Sequence, residues 1–309
     1  MTWKESLFTL STMVRDKWQF DAPPFAGSLE PTSFYEGIPQ EEALARLEWL
    51  LEHKQRCGVV VGENGIGKSH LAAVVKRRLA GCGAETTLLS VRGIQDGDWL
   101  DLLLSRIPLD AASRSEPIRS WQKLENHLRE NTLMDRPSVI ILDDFDQAPE
   151  DCLQGISRIV SAAEPLFSQT MVVALAASEG MSRIPDTFQQ RATVKVELVP
   201  WEEVDVASFI ISALKRVGGQ PDLFTNEAIG TISRFAKGVP RQICQLAHLC
   251  TVVGASEQRD QVDSTMVEGV WRELTPMSAD QKLPAHERSN TTPPPPKHPQ
   301  VRSVRKLWE

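Results

Sequence analysis

Residues 57–70 read CGVVVGENGIGKSH, and this stretch decides the fold. An apolar run ends in Gly62, and after four further residues come Gly67, Lys68 and Ser69, followed by a helix-like segment. The pattern G-x-x-x-x-G-K-[ST] between a strand and a helix predicts a loop that binds nucleotide phosphates. The glycines allow a tight turn with inward-pointing N–H groups, and the helix N-terminus adds positive charge.

Two side chains of this loop have distinct expected roles. Lys68 would reach the β- and γ-phosphates, and the Ser69 hydroxyl would ligate Mg²⁺. The alternative is a glycine-rich turn that binds nothing. The residues expected to contact the nucleotide are Gly62, Glu63, Asn64, Gly65, Ile66, Gly67, Lys68, Ser69 and His70.

The composition is that of an ordinary globular protein. The 309 residues are 41% hydrophobic and 24% charged, which allows a large core and more than one domain. The net charge of −7 argues against a wholly basic nucleic-acid-binding surface. Residues 276–309 carry +3, however, so that residues 1–275 carry −10.

The cysteines and the apolar segments indicate a reducing, cytoplasmic location. The five cysteines are odd in number and form no C-x-x-C pair, which favours buried free thiols in apolar surroundings. The N-terminus lacks the apolar core and cleavage site of a signal peptide. No run approaches 18 apolar residues, so we expect no membrane span.

The hydrophobic pattern predicts alternating strands and helices up to Pro200. The predicted strands are 57–61, 86–91, 138–142, 170–177 and 193–199. The predicted helices are 41–56, 68–80, 96–107, 119–133 and 149–163. This alternation predicts an α/β fold with a doubly wound parallel five-stranded sheet in three layers. The last strand alternates polar and apolar residues, as at a sheet edge.

Four segments follow from these patterns. They are an irregular lead-in (1–40) with a weak helical face in its first 20 residues, an α/β nucleotide-binding core (41–200), a helical lid (201–275) and a disordered Pro-rich basic tail (276–309). Within the lid, Ser264 is the predicted N-cap of the last helix.

Acidic residues directly follow the third predicted strand. Asp143 is placed to hold Mg²⁺, and Asp144 to polarise the attacking water. An N-cap or turn role stays open for Asp143, and Asp144 is one methylene shorter than the more effective Glu. Asp146 is expected to be a solvated turn residue.

Three further polar residues are candidates for contact with the γ-phosphate. Ser178 follows the fourth predicted strand and would lie between the carboxylates and the phosphate loop, although a simple turn hydroxyl fits equally well. Arg191 precedes the fifth strand, and Arg241 begins a helix of the lid. The alternative for either arginine is a surface ion pair of little energetic value.

Together these residues resemble the AAA+ ATPases, in particular the bacterial group typified by general secretion pathway protein A and by transposition ATPases. The resemblance covers about residues 20–274. Its most specific parts are the Walker A loop at 62–69, the sequence VIILDD at 139–144 as Walker B, the segment around Arg191 and the G-x-P-R motif that ends in Arg241.

The resemblance implies that ATP and Mg²⁺ bind between the core and the lid. Arg241 would contact the γ-phosphate within the same chain, and Arg191 would reach the site of a neighbouring subunit. Ser178 aligns with the sensor 1 position, and Ile38 would border the adenine. The implied assembly is a homo-oligomer, a ring or filament, that ATP controls, and some members bind DNA or protein partners.

The sequence also departs from this family. Asp144 replaces the usual Walker B Glu, which leaves the hydrolysis rate open, and the sensor 1 position often carries an amide. The secretion protein's membrane span has no counterpart after residue 276. We therefore expect an Mg²⁺-dependent AAA+ ATPase whose assembly acts on a protein or DNA partner. The alternatives are a slow-hydrolysing ATP-switch scaffold, a DNA-binding transposition-like regulator and a small-molecule kinase.

Overall fold

The structure, a computed structural model, describes residues 12–25, 27, 29–109, 118–162 and 167–274. The described residues fall into two compact units, one within residues 27–200 and the other within 1–26 and 201–309. The predicted lead-in therefore contributes to both units. The predicted tail, 276–309, lies outside the described residues.

The first unit is built on a parallel sheet of five strands in the order β2-β3-β4-β1-β5. The strands are β1 (Cys57–Gly62), β2 (Glu85–Ser90), β3 (Ser138–Asp143), β4 (Thr170–Ala177) and β5 (Val194–Leu198). The predicted doubly wound α/β fold is confirmed, and β5 lies at the predicted edge. The order places β1 and its loop between β4 and β5.

The central strands are apolar throughout because both faces of the sheet are covered. In β1, Val59 and Val61 join the hydrophobic core on one face, and Val60 joins the core on the other. In β3, Ile140 and Ile141 divide between the same two cores. The sheet is thus the middle of three layers, and its strands are held from both sides.

Six α-helices among the described residues of this unit connect or flank the strands. They are α1 (Ile38–Glu52), α2 (Lys68–Gly81), α3 (Trp99–Arg106), α4 (Ser120–Leu133), α5 (Glu150–Ser161) and α6 (Asp186–Arg191). Helix α1 begins three residues before its predicted start, because Pro39 occupies a first-turn position where its missing N–H costs nothing. Helix α6 is too short for a periodic pattern to predict.

The second unit contains helices and one isolated β-bridge among its described residues. The helices are α7 (Glu203–Arg216), α8 (Asn226–Ala236), α9 (Pro240–Ser256) and α10 (Ser264–Leu274). Residues 12–18 are helical and pack on α9, where Trp18 Nε1 donates to the Thr251 carbonyl at 2.9 Å. None of the described helices is long and apolar enough to cross a membrane.

The cysteines are free, but one of them is not in an apolar environment. Cys57, Cys152 and Cys250 are buried, and burial raises the pKa of each of these thiols to about 12, so they stay protonated. Cys82 is exposed, because it follows the end of α2, where the chain turns at the surface.

The N-cap of α10 is Asp263, so the prediction of Ser264 was wrong by one residue. Asp263 Oδ1 accepts the Met266 N–H at 2.9 Å and the Thr265 hydroxyl at 2.7 Å. The Met266 hydrogen bond is the main reason that the pKa of Asp263 is lowered. Serine and aspartate are both good caps, and the sequence alone did not decide between neighbours.

Replacing Asp263 by Ala should destabilise the helical unit by about 1 kcal/mol, because the first turn of α10 loses its cap. Asp263→Asn should retain most of the stability, since its carbonyl can accept the same N–H. The folded-state pKa is lowered, so the carboxylate stabilises the fold above its unfolded-state pKa, and this contribution disappears as the pH falls through the folded-state pKa. Thermal unfolding from pH 7 to pH 3 measures both effects, and equal stability of all three proteins would refute the cap.

Candidate functional site

The loop between β1 and α2 has the backbone geometry that its glycines predict. Gly65 and Gly67 have φ values of +89° and +104°, in the left-handed region that favours glycine. A Cβ on Gly62 would lie 2.8 Å from Ile66 Cγ2 and 3.0 Å from the Leu198 carbonyl oxygen. Ile66 is buried beneath the loop. The loop therefore folds back over its own apolar residue and cannot accommodate a side chain at Gly62.

Lys68 is held at the start of α2 by the loop backbone. Its side chain is largely buried, with 7% of the residue exposed. Its Nζ donates to the carbonyl oxygens of Gly62 at 2.8 Å and Glu63 at 3.0 Å. A buried ammonium group is costly without such partners. These bonds fix a positive charge beside the loop.

Asp143 and Ser69 come together across the sheet edge, as the sequence predicted for metal ligands. Asp143 ends β3, is buried, and accepts a hydrogen bond from the Ser69 side chain. Burial is the main cause that raises the pKa of Asp143, and the Ser69 hydrogen bond and the Lys68 charge partly offset it. A cation would compensate this desolvated carboxylate.

The two oxygen donors fit Mg²⁺, which takes one or two protein ligands and completes its shell with phosphate oxygens and water. Among the described residues, no group of three or more His, Cys, Asp or Glu side chains could hold a metal on its own. The Mg²⁺ roles of Ser69 and Asp143 stay predictions that this geometry supports.

Asp144 adopts an uncommon backbone conformation directly after β3. Its φ and ψ are 56° and 38°, in the left-handed region, and it precedes a 3₁₀ turn over Phe145–Gln147. Its N–H donates to Asp143 Oδ1 at 3.1 Å. Aspartate tolerates this conformation better than most residues. The half-buried side chain stays the candidate for polarising water.

Asp146 is not the solvated turn residue that the sequence predicted. It is 5% exposed, and its Oδ1 accepts the N–H of Ala177 at 3.0 Å. Gly180 packs so closely that a Cβ there would lie 2.2 Å from Asp146 Oδ2. Asp146 therefore joins the end of β3 to the end of β4. The prediction was wrong because the partner N–H is distant in sequence.

The end of β4 lies between the phosphate loop, which follows β1, and the acids that follow β3. Ser178 is exposed and begins a 3₁₀ helix over Ser178–Arg183. The next residue, Glu179, accepts a hydrogen bond from Asn64 Nδ2 of the phosphate loop at 3.0 Å. Sequence reasoning missed Glu179. The available signal was its position, directly after Ser178 at the end of a strand.

The segment that precedes α1 contacts the start of α2 through His70. The His70 Nε2 donates to the Glu30 carbonyl at 2.8 Å, and its ring meets Phe34 edge-on with centroids 5.0 Å apart. His70 thus holds the segment that precedes α1. Ile38 begins α1 and is 77% exposed. Its contact with adenine stays a prediction, as does a nucleotide contact by His70.

Arg191 lies at the edge of the sheet opposite to the phosphate loop. It ends α6 and is exposed. The N–H of Thr193 donates to the Cys57 carbonyl at 3.0 Å, which places this segment beside the first residue of β1. The loop follows the last residue of that strand. At ~3.3 Å per residue, the two ends of β1 are roughly 17 Å apart.

Arg241 belongs to the second unit. It is the second residue of α9 and its side chain is exposed. Its contact with the γ-phosphate therefore stays a prediction from the resemblance.

Comparisons with known proteins bear on the fold that carries this site. Residues 51–184 match the family model described as AAA domain. General secretion pathway protein A from Aeromonas hydrophila is 24% identical over 225 residues, which are 72% of this chain and 41% of that protein. The chain thus spans about two-fifths of the length of this relative.

Solved structures share the fold at low sequence identity. The Aeropyrum pernix ORC2 protein, solved as ADPNP-ADP complexes, has a TM-score of 0.61 and 17% identity, covering 82% of this chain and 72% of its own. The Aeropyrum pernix ORC1 protein in complex with DNA has a TM-score of 0.57 and 15% identity, with coverages of 78% and 66%. The family match over residues 51–184 and the shared fold together support the resemblance of this chain to the AAA+ group of P-loop proteins.

Proposed function

We propose that this protein binds ATP with Mg²⁺, hydrolyses it, and assembles under nucleotide control to act on a protein or DNA partner. One observation carries the proposal. Lys68, Ser69 and Asp143 are held at a single sheet edge, with the lysine fixed by loop carbonyls and the serine bonded to the carboxylate. A nucleoside triphosphate and its metal ion suit this arrangement, because a fixed cation, a hydroxyl and a buried carboxylate lie beside a glycine-rich loop.

Each residue has one expected action during binding. The N–H groups of the loop and the N-terminus of α2 would face the phosphates, and Lys68 would exchange carbonyl partners for phosphate oxygens. Ser69 and Asp143 would hold Mg²⁺, directly or through water. The ion, when bound, neutralises charge that develops on the phosphate oxygens.

Hydrolysis needs a carboxylate that orients or polarises water. Asp144 follows Asp143 in the chain, and the Asp143 carboxylate holds its backbone in place. Because its side chain is shorter than that of Glu, the water must lie closer to the backbone. This geometry supports slow turnover, and a scaffold that uses ATP mainly as a switch is the alternative.

The position of Arg191 supports assembly. A side chain beside the first residue of β1 cannot span the length of that strand to reach its own loop. Burial lowers the pKa of Arg56, and the Arg191 charge lowers it further, so two cations lie near each other at this edge. Because Arg56 already donates to the carbonyl oxygens of Ile159 and Ala162, the exposed Arg191 is the cation that suits an anion from outside the chain, such as the γ-phosphate bound to a second copy.

We propose the partner only as a class of macromolecule, either a protein or DNA. The related protein from Aeromonas hydrophila is named for general secretion, and the ORC1 structure contains DNA. The net charge of −7 does not favour a large DNA-binding surface, whereas residues 276–309 carry +3. We place the protein in the cytoplasm, where ATP is available and free thiols are stable.

Lys68→Ala should weaken ATP binding about 10- to 100-fold, because a charge-assisted contact to phosphate is lost. Titration calorimetry with ATP and Mg²⁺ measures this. Lys76→Ala is the matched control, since Lys76 is exposed on the same helix. Equal affinities of the wild type and Lys68→Ala would contradict the proposed site.

Asp144→Asn should lower ATP turnover by about 100-fold or more while ATP binding is retained. Asparagine also tolerates the left-handed backbone at this position, so the turn is preserved. Phosphate release under saturating ATP measures turnover. A low turnover that the substitution leaves unchanged would instead support the switch scaffold.

Arg191→Ala should reduce turnover on the order of 1,000-fold without preventing ATP binding, if the arginine acts on a neighbouring site. Mixing Arg191→Ala with Asp144→Asn should restore part of the activity, because some interfaces then combine an intact Asp144 with an intact Arg191. Arg129→Ala, an exposed arginine of α4, serves as the control. Absence of any recovery in the mixture would argue against action between subunits.

A further inference from the structure

A carboxylate that the proposed reaction does not use contacts the phosphate loop directly. Glu179 accepts a hydrogen bond from the side-chain amide of Asn64 at 3.0 Å. Asn64 lies between Gly62 and Gly67, inside the loop, and β4 is the strand next to β1. This hydrogen bond therefore links the position of the Asn64 amide to that of the Glu179 carboxylate.

The segment that carries Glu179 is fixed by its neighbours. Asp146 accepts the N–H of Ala177, the residue before the segment, and Gly180 packs against the same carboxylate. Arg183 Nη2 donates to the Ala148 carbonyl at 3.3 Å. These contacts fix the backbone around Glu179, whose exposed side chain lies beside the loop.

The segment also contacts the helix that carries Arg191. Gln189 Nε2 donates to the carbonyl oxygens of Met181 at 3.1 Å and Ile184 at 2.8 Å. Gln189 belongs to α6, two residues before Arg191. The residues from Ser178 onward therefore connect the phosphate loop to the helix of the proposed intersubunit arginine.

The negative charge of Glu179 matters because other negative charges lie at the same edge of the sheet. Asp143, Asp144 and Asp146 already place acidic groups at this edge of the sheet, and Glu179 adds another beside the loop. The phosphates of a nucleotide held by this loop would bring several more negative charges, and charges less than ~10 Å apart still interact in salt solution. ATP brings more of this charge than ADP does.

We propose that Glu179 is a positioning residue that couples the loop amide of Asn64 to the charge of the bound nucleotide. The carboxylate and the terminal phosphate oppose each other, so ATP weakens the Asn64–Glu179 hydrogen bond and Glu179 lowers the preference of the site for ATP over ADP. This reciprocity is required of any two coupled binding events. The inference rests on the proposed nucleotide site.

Two substitutions separate the charge of Glu179 from its hydrogen bond. Glu179→Gln keeps an acceptor for Asn64 and removes the charge, whereas Glu179→Ala removes both. Glu52→Gln is the matched control, because Glu52 is an exposed acid at the C-terminal end of α1, next to the start of β1 and away from the loop. The probes are a non-hydrolysable ATP analogue and ADP, each with Mg²⁺, titrated at low and high salt.

Glu179→Gln should bind the ATP analogue roughly 3- to 10-fold more tightly than the wild type, with a smaller gain for ADP. The difference should shrink at high salt, which a purely structural role would not produce. Glu179→Ala should change affinity in the same direction, and Glu52→Gln should change neither affinity.

Unchanged affinities in Glu179→Gln, or weaker binding of the ATP analogue, would overturn the inference. If the wild type binds nucleotide and Lys68→Ala does not, such a result removes the role of Glu179 alone. If the wild type binds neither nucleotide, the proposed function fails together with it.

Discussion

The common direction of the five strands is the constraint on which the site depends. All strands are parallel, so their carboxyl ends meet at one edge and their amino ends at the other. The phosphate loop after β1, the acids after β3 and the turn after β4 are consequently neighbours. Arg191 precedes β5 and is directed by the same rule to the far edge. Strand direction alone thus separates the groups proposed to bind phosphate from the arginine proposed to act on it.

The polar groups at the edge of the sheet that carries the phosphate loop are positioned largely by the hydrogen bonds that buried groups require. A buried polar atom must find a partner, and each partner here belongs to another element. Lys68 uses the carbonyls of the loop, Asp143 uses Ser69 and Asp146 uses the backbone of β4. Replacing one of these groups leaves its partner unsatisfied, which is costly in a buried environment. The same requirement keeps the site pre-organised, since its members cannot move independently.

Much of the fold could be predicted because its signals are local. Five strand-like runs with helical segments between them predict a parallel sheet, and the alternating pattern of β5 predicts an edge. The phosphate loop is specified by glycines whose φ values only glycine adopts easily. The long helices were predicted within a few residues at each end.

The remaining features depend on contacts between residues far apart in the chain. Asp146 resembles any other turn acid until the end of β4 is placed beside it, and Glu179 has no role until the loop brings Asn64 within reach. Helix α6 is shorter than two turns and gives no periodic signal. Asp263 and Ser264 are adjacent residues of equal capping ability, and only the hydrogen bond from the Met266 N–H in the folded protein distinguishes them. The nucleotide contacts of Ile38, Ser178 and Arg241 stay predictions.

The central claim is that one chain does not contain a complete site. The molecular mass in solution tests this most directly, measured by light scattering with ATP and Mg²⁺, with ADP and without nucleotide, because the monomer has a mass of 34.4 kDa. We expect a multiple of this mass with ATP and a smaller species with ADP or no nucleotide. A mass of 34.4 kDa in all three conditions would contradict it.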